Sequence, residues 1–251
     1  MSKVDIILPA YNCEKYIVEA IDSVVDQSYK DWKLIIIDDG STDLTNNLIK
    51  NYLNDKRISL KRLKKNKGQG FCRNFALRYS KSKYVAFIDA DDIWLKEKLK
   101  RQIDLMSDLN LSFTYTNYSS FREINGKKRI NKNIVLPESF NFDQFIKNTS
   151  ICTSAMIVER EKVGFARFLN ISSCDDYLFK CKLLKNCNLA KKVGENLTLY
   201  RISSNSIQSS RIKNLYWVWH VNKHYNHLGL FKNILSVLYI SINSIKKYGF
   251  K

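Results

Sequence analysis

Three carboxylates fall within four positions at Asp89, Asp91 and Asp92, directly after the apolar run Tyr84 to Ile88. A continuous apolar run fits a strand buried on both faces. Charges cannot follow it into the core, because isolated buried charges are very costly, so the acids emerge at the sheet edge, where a parallel α/β fold places its binding crevice. On an extended chain Asp89 and Asp91 point to the same side. Three negative charges so close repel one another unless a cation sits among them, and hard oxygen ligands at a partly open site suit Mg²⁺ or Mn²⁺ with a phosphate completing the shell. The competing reading is a helix beginning at Ile93 with Asp91 or Asp92 as its N-cap; a triplet of acids directly after a buried strand favours the metal and phosphate.

Other stretches carry matching chemistry. Trp32 to Ile37 is a second apolar run, and it ends in Asp38-Asp39. Carboxyl ends of parallel strands share one edge, so the two acid clusters can face one crevice. Gly68-Gln69-Gly70 precedes Arg73-Asn74 at the start of an apparent helix through Tyr79. Glycines before a helix N-terminus, with an Arg in the first turn, suit a diphosphate. Asp175 and Asp176 precede a helical stripe at Leu178, Phe179, Leu183 and Leu184; by themselves they read as an acidic helix start.

The elements that position these residues follow a simple rhythm. Val4 to Leu8 reads as a strand ending in a turn at 9–12, and Ile17, Ala20, Ile21, Val24 and Val25 have helical spacing. The second strand, a helix from Asn46 to Leu53 and a third strand at Ile58 to Leu63 complete β-α-β-α-β, the pattern of a parallel, doubly wound sheet. The second half is less regular. Ser112 to Tyr118 and Ile151 to Val158 read as strands, 123–133 as a basic turn around Gly126, and Phe142 to Asn148 as a short helix.

A length of 251 residues, 45% hydrophobic content, eight Gly and two Pro describe an ordinary globular α/β chain. The net charge of +18 is unusual; it calls for an anionic partner such as nucleic acid, an anionic membrane surface or a phosphorylated substrate. Lys56 to Lys67 holds seven basic residues in twelve. The six cysteines form no Cys-x-x-Cys pair and read as thiols in a reducing compartment. Neither a Gly-x-x-x-x-Gly-Lys-Ser/Thr loop nor a Gly-x-Gly-x-x-Gly fingerprint is present, which counts against NTPase and dinucleotide-dehydrogenase readings. With no signal peptide and no spanning apolar run visible, the expected location is the cytoplasm, either free or attached peripherally to the inner face of the cytoplasmic membrane.

Taken together and in order, Val4 to Asn12, Ile37 to Asp43, Gly68 to Asn74 and Phe87 to Asp92 resemble the donor half of a family 2, GT-A fold nucleotide-sugar glycosyltransferase. The resemblance covers residues 3 to about 100. It implies a mostly parallel central sheet flanked by helices and an inverting, metal-dependent hexosyl transfer from a nucleotide-diphosphate donor, a UDP-sugar first among them. The acceptor it implies is a hydroxyl of a glycan or lipid-linked carrier, in lipopolysaccharide, O-antigen or capsule assembly. Residue by residue, it implies that Pro9 and Tyr11 line the base pocket, that Asp39 accepts from the base imide and that Arg73 sits near the diphosphate. Asp89 contacts the ribose or the metal's waters, Asp92 is grouped with the nucleotide-sugar-binding acids, and Asp91 is the direct ligand of Mn²⁺ or Mg²⁺. Asp176 aligns with the family's general base, with Asp175 in support where Glu is more common. Many members carry a metal-site His two residues after the Arg at position 201; this chain has Ser203, which leaves the diphosphate and water to fill the shell.

Residues 1–210 are expected to form the catalytic domain, donor half to about 100 and acceptor half from about 101, and 211–251 a basic helical tail. The tail contains seven Lys or Arg and no acid. Phe231, Ile234, Leu235, Leu238, Ile242 and Ile245 form a helical apolar stripe that reads either as membrane-surface binding or as packing on the domain. His220, His224 and His227 lack a nearby carboxylate and read as a solvated face. Two rival functions remain: a nucleic-acid or anionic-surface binder on a degenerate α/β fold, which strand-end carboxylates oppose, and a nucleotidyltransferase, which would release pyrophosphate. No nucleic-acid partner is expected.

Overall fold

Alternate side chains of a strand point to opposite faces, and here both faces of the sheet are covered. In a computed structural model of the chain, residues 3–124, 126–169, 174–202 and 211–248 are described. Chain order is β1 (Val4–Ala10), α1 (Ile17–Val25), β2 (Trp32–Asp38), α2 (Thr45–Lys50), β3 (Ile58–Arg62), α3 (Gln69–Leu77), β4 (Tyr84–Phe87), β5 (Ile93–Trp94), α4 (Lys98–Asp108), β6 (Phe113–Ile124), β7 (Lys127–Ile134), β8 (Ser139–Phe140), α5 (Phe142–Phe145), β9 (Met156–Glu159), α6 (Arg160–Val163), α7 (Asp175–Cys187), β10 (Ala190–Arg201), α8 (Arg211–His224) and α9 (Leu230–Tyr248). Ile6, Leu8, Leu34, Ile36 and Ala86 pack one face with Ile21 of α1 and Leu99 and Ile103 of α4. Ile7, Ile35, Ile37, Val85 and Phe87 pack the other with Ala76 of α3 and Phe179 and Leu183 of α7. Asp5, buried within β1, is satisfied by the turn before β4, accepting from Ser82 N and Ser82 Oγ at 2.8 Å each.

The sheet runs β3-β2-β1-β4-β9-β6-β10-β5, with β7 on β6 and β8 on β10. Strands β1 to β4 are mutually parallel, the doubly wound half that the apolar runs predict. Beyond β4 the sheet is mixed: β9 is antiparallel to both β4 and β6, whereas β10 is parallel to β6.

Away from the acid rim, the structure departs from the sequence reading at several strands. β1 continues through Pro9, which is in register with Ile37. This is tolerated because the odd positions of β1 bond toward β4 (Ile88 N donates to Ile7 O), and pairing with β4 ends at Ile7, so the missing N–H of Pro9 leaves no ladder bond unmade. The basic segment 123–133 is a hairpin, with Gly126 at φ +71 in the turn and β7 paired to β6; its second strand is an exposed, charged edge, which carries no hydrophobic pattern to announce it. Of the expected strand at 151–158, only Met156 to Val158 joins the sheet, as part of β9, because Thr153–Ala155 forms a 3₁₀ turn. β10 was not anticipated. Irregularities between Val193 and Asn196, and again before Thr198, break its alternation.

Candidate active site

Asp38 ends β2, and Tyr11, Asp39 and Asp89 follow the carboxyl ends of β1, β2 and β4, three adjacent parallel strands, and so stand along one rim. Asp38 is structural: fully buried, it accepts from Ser41 N at 2.9 Å and Asn46 Nδ2 at 2.9 Å and pairs with Arg62 Nε at 3.3 Å. Asp39 accepts from Lys67 N and Gly68 N, both at 2.8 Å. One residue further on, Gln69 Nε2 donates to Asp89 Oδ1 at 2.9 Å. The entry to α3 therefore ties the two acid clusters together. Its glycines are there for backbone reasons. Gly68 has φ +91, a region L-residues avoid. A Cβ on Gly70 would meet Leu169 O at 2.6 Å and Asp175 Oδ2 at 3.1 Å, so only glycine lets α3 approach the start of α7.

Arg73 is the hinge of the site. It is 2% exposed, and its Nη2 donates to Asp89 Oδ1 at 2.6 Å while Nη1 reaches Asp175 Oδ2 at 3.4 Å. Its guanidinium lies 4.9 Å from the Phe168 ring. Burial works to lower its pKa, and the carboxylates of Asp89, Asp175 and Asp176 overcome that and raise it. Asp176 Oδ2 accepts from Thr153 Oγ1 at 2.9 Å and pairs with Lys180, one helical turn on. Burial disfavours its charge, but Lys180 and then Arg73 hold the carboxyl down at about 2. Asp175 goes the other way: burial pushes it up to about 6 against the pull of Arg73. A cavity of about 280 Å³ contains Gln69, Arg73, Asp89, Asp175, Asp176, Lys180 and the tyrosines Tyr118 and Tyr200. A larger one, about 660 Å³, shares Asp176 and Lys180 and extends between the end of β7 and helices α8 and α9.

Residues 89–92 form a turn rather than an extended segment, because Asp92 N donates to Asp89 O at 3.1 Å. No helix starts at Ile93; the two-residue strand β5 does. Ser154 and Arg201 hold this turn. Ser154 Oγ accepts from Asp89 N at 3.0 Å and donates to Asp92 Oδ2 at 2.5 Å. Arg201 donates through N to Asp92 Oδ1 at 3.0 Å and through Nε to Asp91 O at 2.9 Å. Asp92 is thus 1% exposed with both oxygens engaged, and it braces the rim instead of facing the crevice. Pro9 is buried in β1 for a similar reason: it lies within the strand, not after it. Tyr11, 47% exposed, does stand at the rim.

Asp91 differs from its neighbours. Burial, and next the charge on Asp89, push its carboxyl up to about 6, with Arg201 opposing. No salt bridge reaches that carboxylate among the described residues. A carboxylate short of positive charge beside a second one fits a hard divalent ion whose remaining ligands are water and phosphate oxygens. Among the described residues no three His, Cys, Asp or Glu side chains converge to hold a metal, and those that could contribute to such a shell there are Asp91 with Asp89 nearby. Ser203 lies outside the described residues.

Lys180 and Gln69 have no site role in the sequence reading, and Thr153 and Ser154 enter it only as polar residues of a strand that could line an acceptor groove. Lys180 had a readable signal, four residues after an acid on the same helix. The carboxylates and backbone that the two hydroxyls serve were not readable, since those partners lie 23 to 65 residues away.

Comparison with known proteins identifies the family. Residues 5–165 match the family model for glycosyl transferase family 2. A Bacillus subtilis glycosyltransferase named for teichuronic acid biosynthesis, TuaG, is 35% identical over 97% of this chain and 96% of its own length. The Escherichia coli UDP-Glc:alpha-D-GlcNAc-diphosphoundecaprenol beta-1,3-glucosyltransferase WfgD is 34% identical over 98% of this chain and 95% of its own. The fold is shared with S. aureus TarS 1-349, solved in complex with UDP-GlcNAc, at a TM-score of 0.76, 20% identity, and coverage of 97% of this chain and 73% of that one. With relatives aligned end to end and the strand-end acids gathered on one rim, the chain belongs to glycosyl transferase family 2.

Proposed function

We propose that the chain transfers a sugar, with inversion, from a UDP-sugar to a hydroxyl of a lipid-linked glycan during assembly of a surface polysaccharide at the cytoplasmic face of a membrane. The observation that carries this is Arg73, buried between Asp89 at the donor rim and Asp175 at the start of α7, which sets the proposed donor and acceptor groups in one cavity. The printed names of relatives support the substrate classes: WfgD is named for UDP-Glc and a diphosphoundecaprenol acceptor, and TarS was solved with UDP-GlcNAc.

In this reading, residues to about 100 hold the donor, with Tyr11 against the base, Asp39 toward its imide, and Asp89 and Arg73 near the ribose and diphosphate. Asp91 holds Mn²⁺ or Mg²⁺, which when bound supplies Lewis-acid neutralisation of the leaving diphosphate. Residues from about 101 to 210 form the acceptor half, and the larger cavity admits the acceptor beside Asp176. The acceptor oxygen attacks the anomeric carbon from the face opposite the diphosphate. As the new C–O bond forms and the old one breaks, the hydroxyl proton passes to an Asp176 oxygen. A carboxyl held at about 2 is fully ionised at neutral pH, and being a weak base it takes the proton late. Arg73 and Gln69, already oriented by Asp89, offer donors toward the charge that develops on the leaving group.

The decisive experiment incubates the chain with UDP-glucose, Mn²⁺ and a GlcNAc-diphospho-lipid, with UDP-GlcNAc, GDP- and dTDP-sugars in parallel. The expected products are a lengthened lipid-linked glycan with inverted anomeric configuration, and UDP. Release of pyrophosphate would instead identify a nucleotidyltransferase. Oligonucleotide binding with a steep salt dependence and no response to UDP and Mn²⁺ would identify an anion-binding protein.

Lys180→Met tests the electrostatics. Lys180 lowers the Asp176 carboxyl, so its removal raises that pKa, and the acid limb of the kcat/KM profile moves to higher pH by at least about one unit. The sign for stability follows from the same shift. A carboxyl depressed from 3.8 to about 2 stabilises the fold above pH ~4 and loses that contribution as pH falls toward 2. The variant is therefore less stable than the parent at neutral pH, and the gap narrows in acid. An acid limb that does not move would remove Lys180 from this role.

A further inference from the structure

α9 is amphipathic, but much of its apolar side is turned away from the domain. A surface helix of a globular protein turns its apolar stripe to the core, whereas α9 turns amides and hydroxyls inward beside Ile240 and Val237. Asn233 Nδ2 donates to Trp219 O at 3.2 Å, Ser236 Oγ to Ile146 O at 2.5 Å and Asn243 Nδ2 to Lys147 O at 2.9 Å. Asn222 Nδ2 of α8 donates to Ser236 Oγ at 2.9 Å. Facing out are Phe231, Ile234, Leu238 and Ile242, exposed by 75%, 41%, 53% and 48%; their spacing is that of a single stripe. Ile212 and Tyr216, one turn apart on α8, are exposed as well. Rotating α9 to bury the stripe would break these hydrogen bonds and strand buried polar groups, so the outward orientation is built in. The helix packs on the domain through Ile240 and Val237, with Leu235 and Ile245 of the stripe half-buried, and that packing leaves the other four stripe residues exposed.

We propose that this stripe lies in the interface of an anionic lipid bilayer, with α9 parallel to the membrane plane. The proposal rests on the lipid-linked acceptor reading and names the surface on which that acceptor is met. No described helix is long and apolar enough to cross a membrane, so α9 lies on the surface. Residues 211–251 carry seven Lys or Arg and no carboxylate side chain, a composition drawn to anionic headgroups. That composition disfavours a second copy seated face to face, which would bring two basic segments together with no carboxylate between them. Exposed Tyr216, Tyr225 and Tyr239 suit the headgroup level, where an aromatic body and a polar tip are both satisfied. Ser241, Asn243 and Ser244, on the domain side of the same helix, wall the larger cavity that contains Asp176. Docking through the opposite side of α9 holds that cavity against the bilayer, within reach of a substrate whose lipid never leaves it.

The test floats the full chain with vesicles of phosphatidylcholine alone or mixed with phosphatidylglycerol. The chain is expected to rise with the mixed vesicles and to be released by high salt. Phe231→Ser/Leu238→Ser should reduce the bound fraction at least ~10-fold. Neither side chain lines either cavity, so transfer to a water-soluble acceptor analogue should be unchanged, while transfer to the lipid acceptor in vesicles falls. No flotation with anionic vesicles, or equal flotation of the double variant, overturns the proposal. So does a dimer in sedimentation that the double variant dissolves and vesicles do not. Failure of the glycosyltransferase reading looks different: no transfer to either acceptor, with flotation intact.

Discussion

Asp176→Asn is expected to lower the transfer rate by about 10²- to 10⁴-fold, the range for loss of a positioned general base, while leaving donor binding in place. Asn keeps the size of the side chain, and its Oδ1 can still accept from Thr153 Oγ1 and Lys180, the two donors that reach Asp176 Oδ2. What it cannot do is take a proton. The prediction is therefore a fall in kcat with a thermal shift by UDP and Mn²⁺ equal to that of the parent, since Asp176 belongs to the acceptor side of Arg73. Asp175→Asn is the necessary companion. Asp175 is pushed up to about 6 and touches no lysine, which makes it the stronger base of the two. Its contact with Arg73 marks it as a positioning residue, with a smaller expected loss. Should Asp175→Asn abolish transfer while Asp176→Asn retains it, the proton goes to Asp175 and the assignment made here fails.

Asp91→Ala is expected to reduce transfer by at least ~10² to 10³-fold, the scale associated with losing one charge-stabilising group at a reacting centre, and to remove the stabilisation that UDP gives in the presence of Mn²⁺. A ligand that binds only the native state raises Tm by an amount set by its concentration relative to Kd, so the melting curve reads the loss directly. Chelation of the divalent ion should bring the parent to the same state. The ligand-free variant should melt no lower than the parent, because the substitution removes a carboxylate whose charge burial already disfavours. Lower activity with equal or greater ligand-free stability separates a lost metal site from a damaged fold. Retention of Mn²⁺-dependent UDP stabilisation in Asp91→Ala would take the metal away from this residue.

Much of the site was legible because its chemistry coincides with strand ends. Buried parallel strands are written as unbroken apolar runs, so the positions where Trp32 to Ile37 and Tyr84 to Ile88 stop are visible, and the acids that follow must lie at the rim. The burial of Pro9 and Asp92 was not legible, for the opposite reason. Whether a proline at a strand end pairs, and which of three adjacent acids turns inward, depends on β2, Ser154 and Arg201, and nothing local to either residue states it.

The sequence by itself determined the parallel half of the sheet and the common edge of its acids, since both follow from apolar runs and the residues that end them, and its ordered motifs carried the resemblance to the family. Only the tertiary structure decided that Arg73 joins Asp89 to Asp175, that Lys180 and Thr153 share Asp176, and that Phe231, Ile234, Leu238 and Ile242 of α9 face outward. The physical reason is range. A run of side chains fixes what a strand or helix can bury, but hydrogen bonds such as those of Asn233, Ser236 and Asn243 fix which way it turns, and their partners are 14 to 96 residues away.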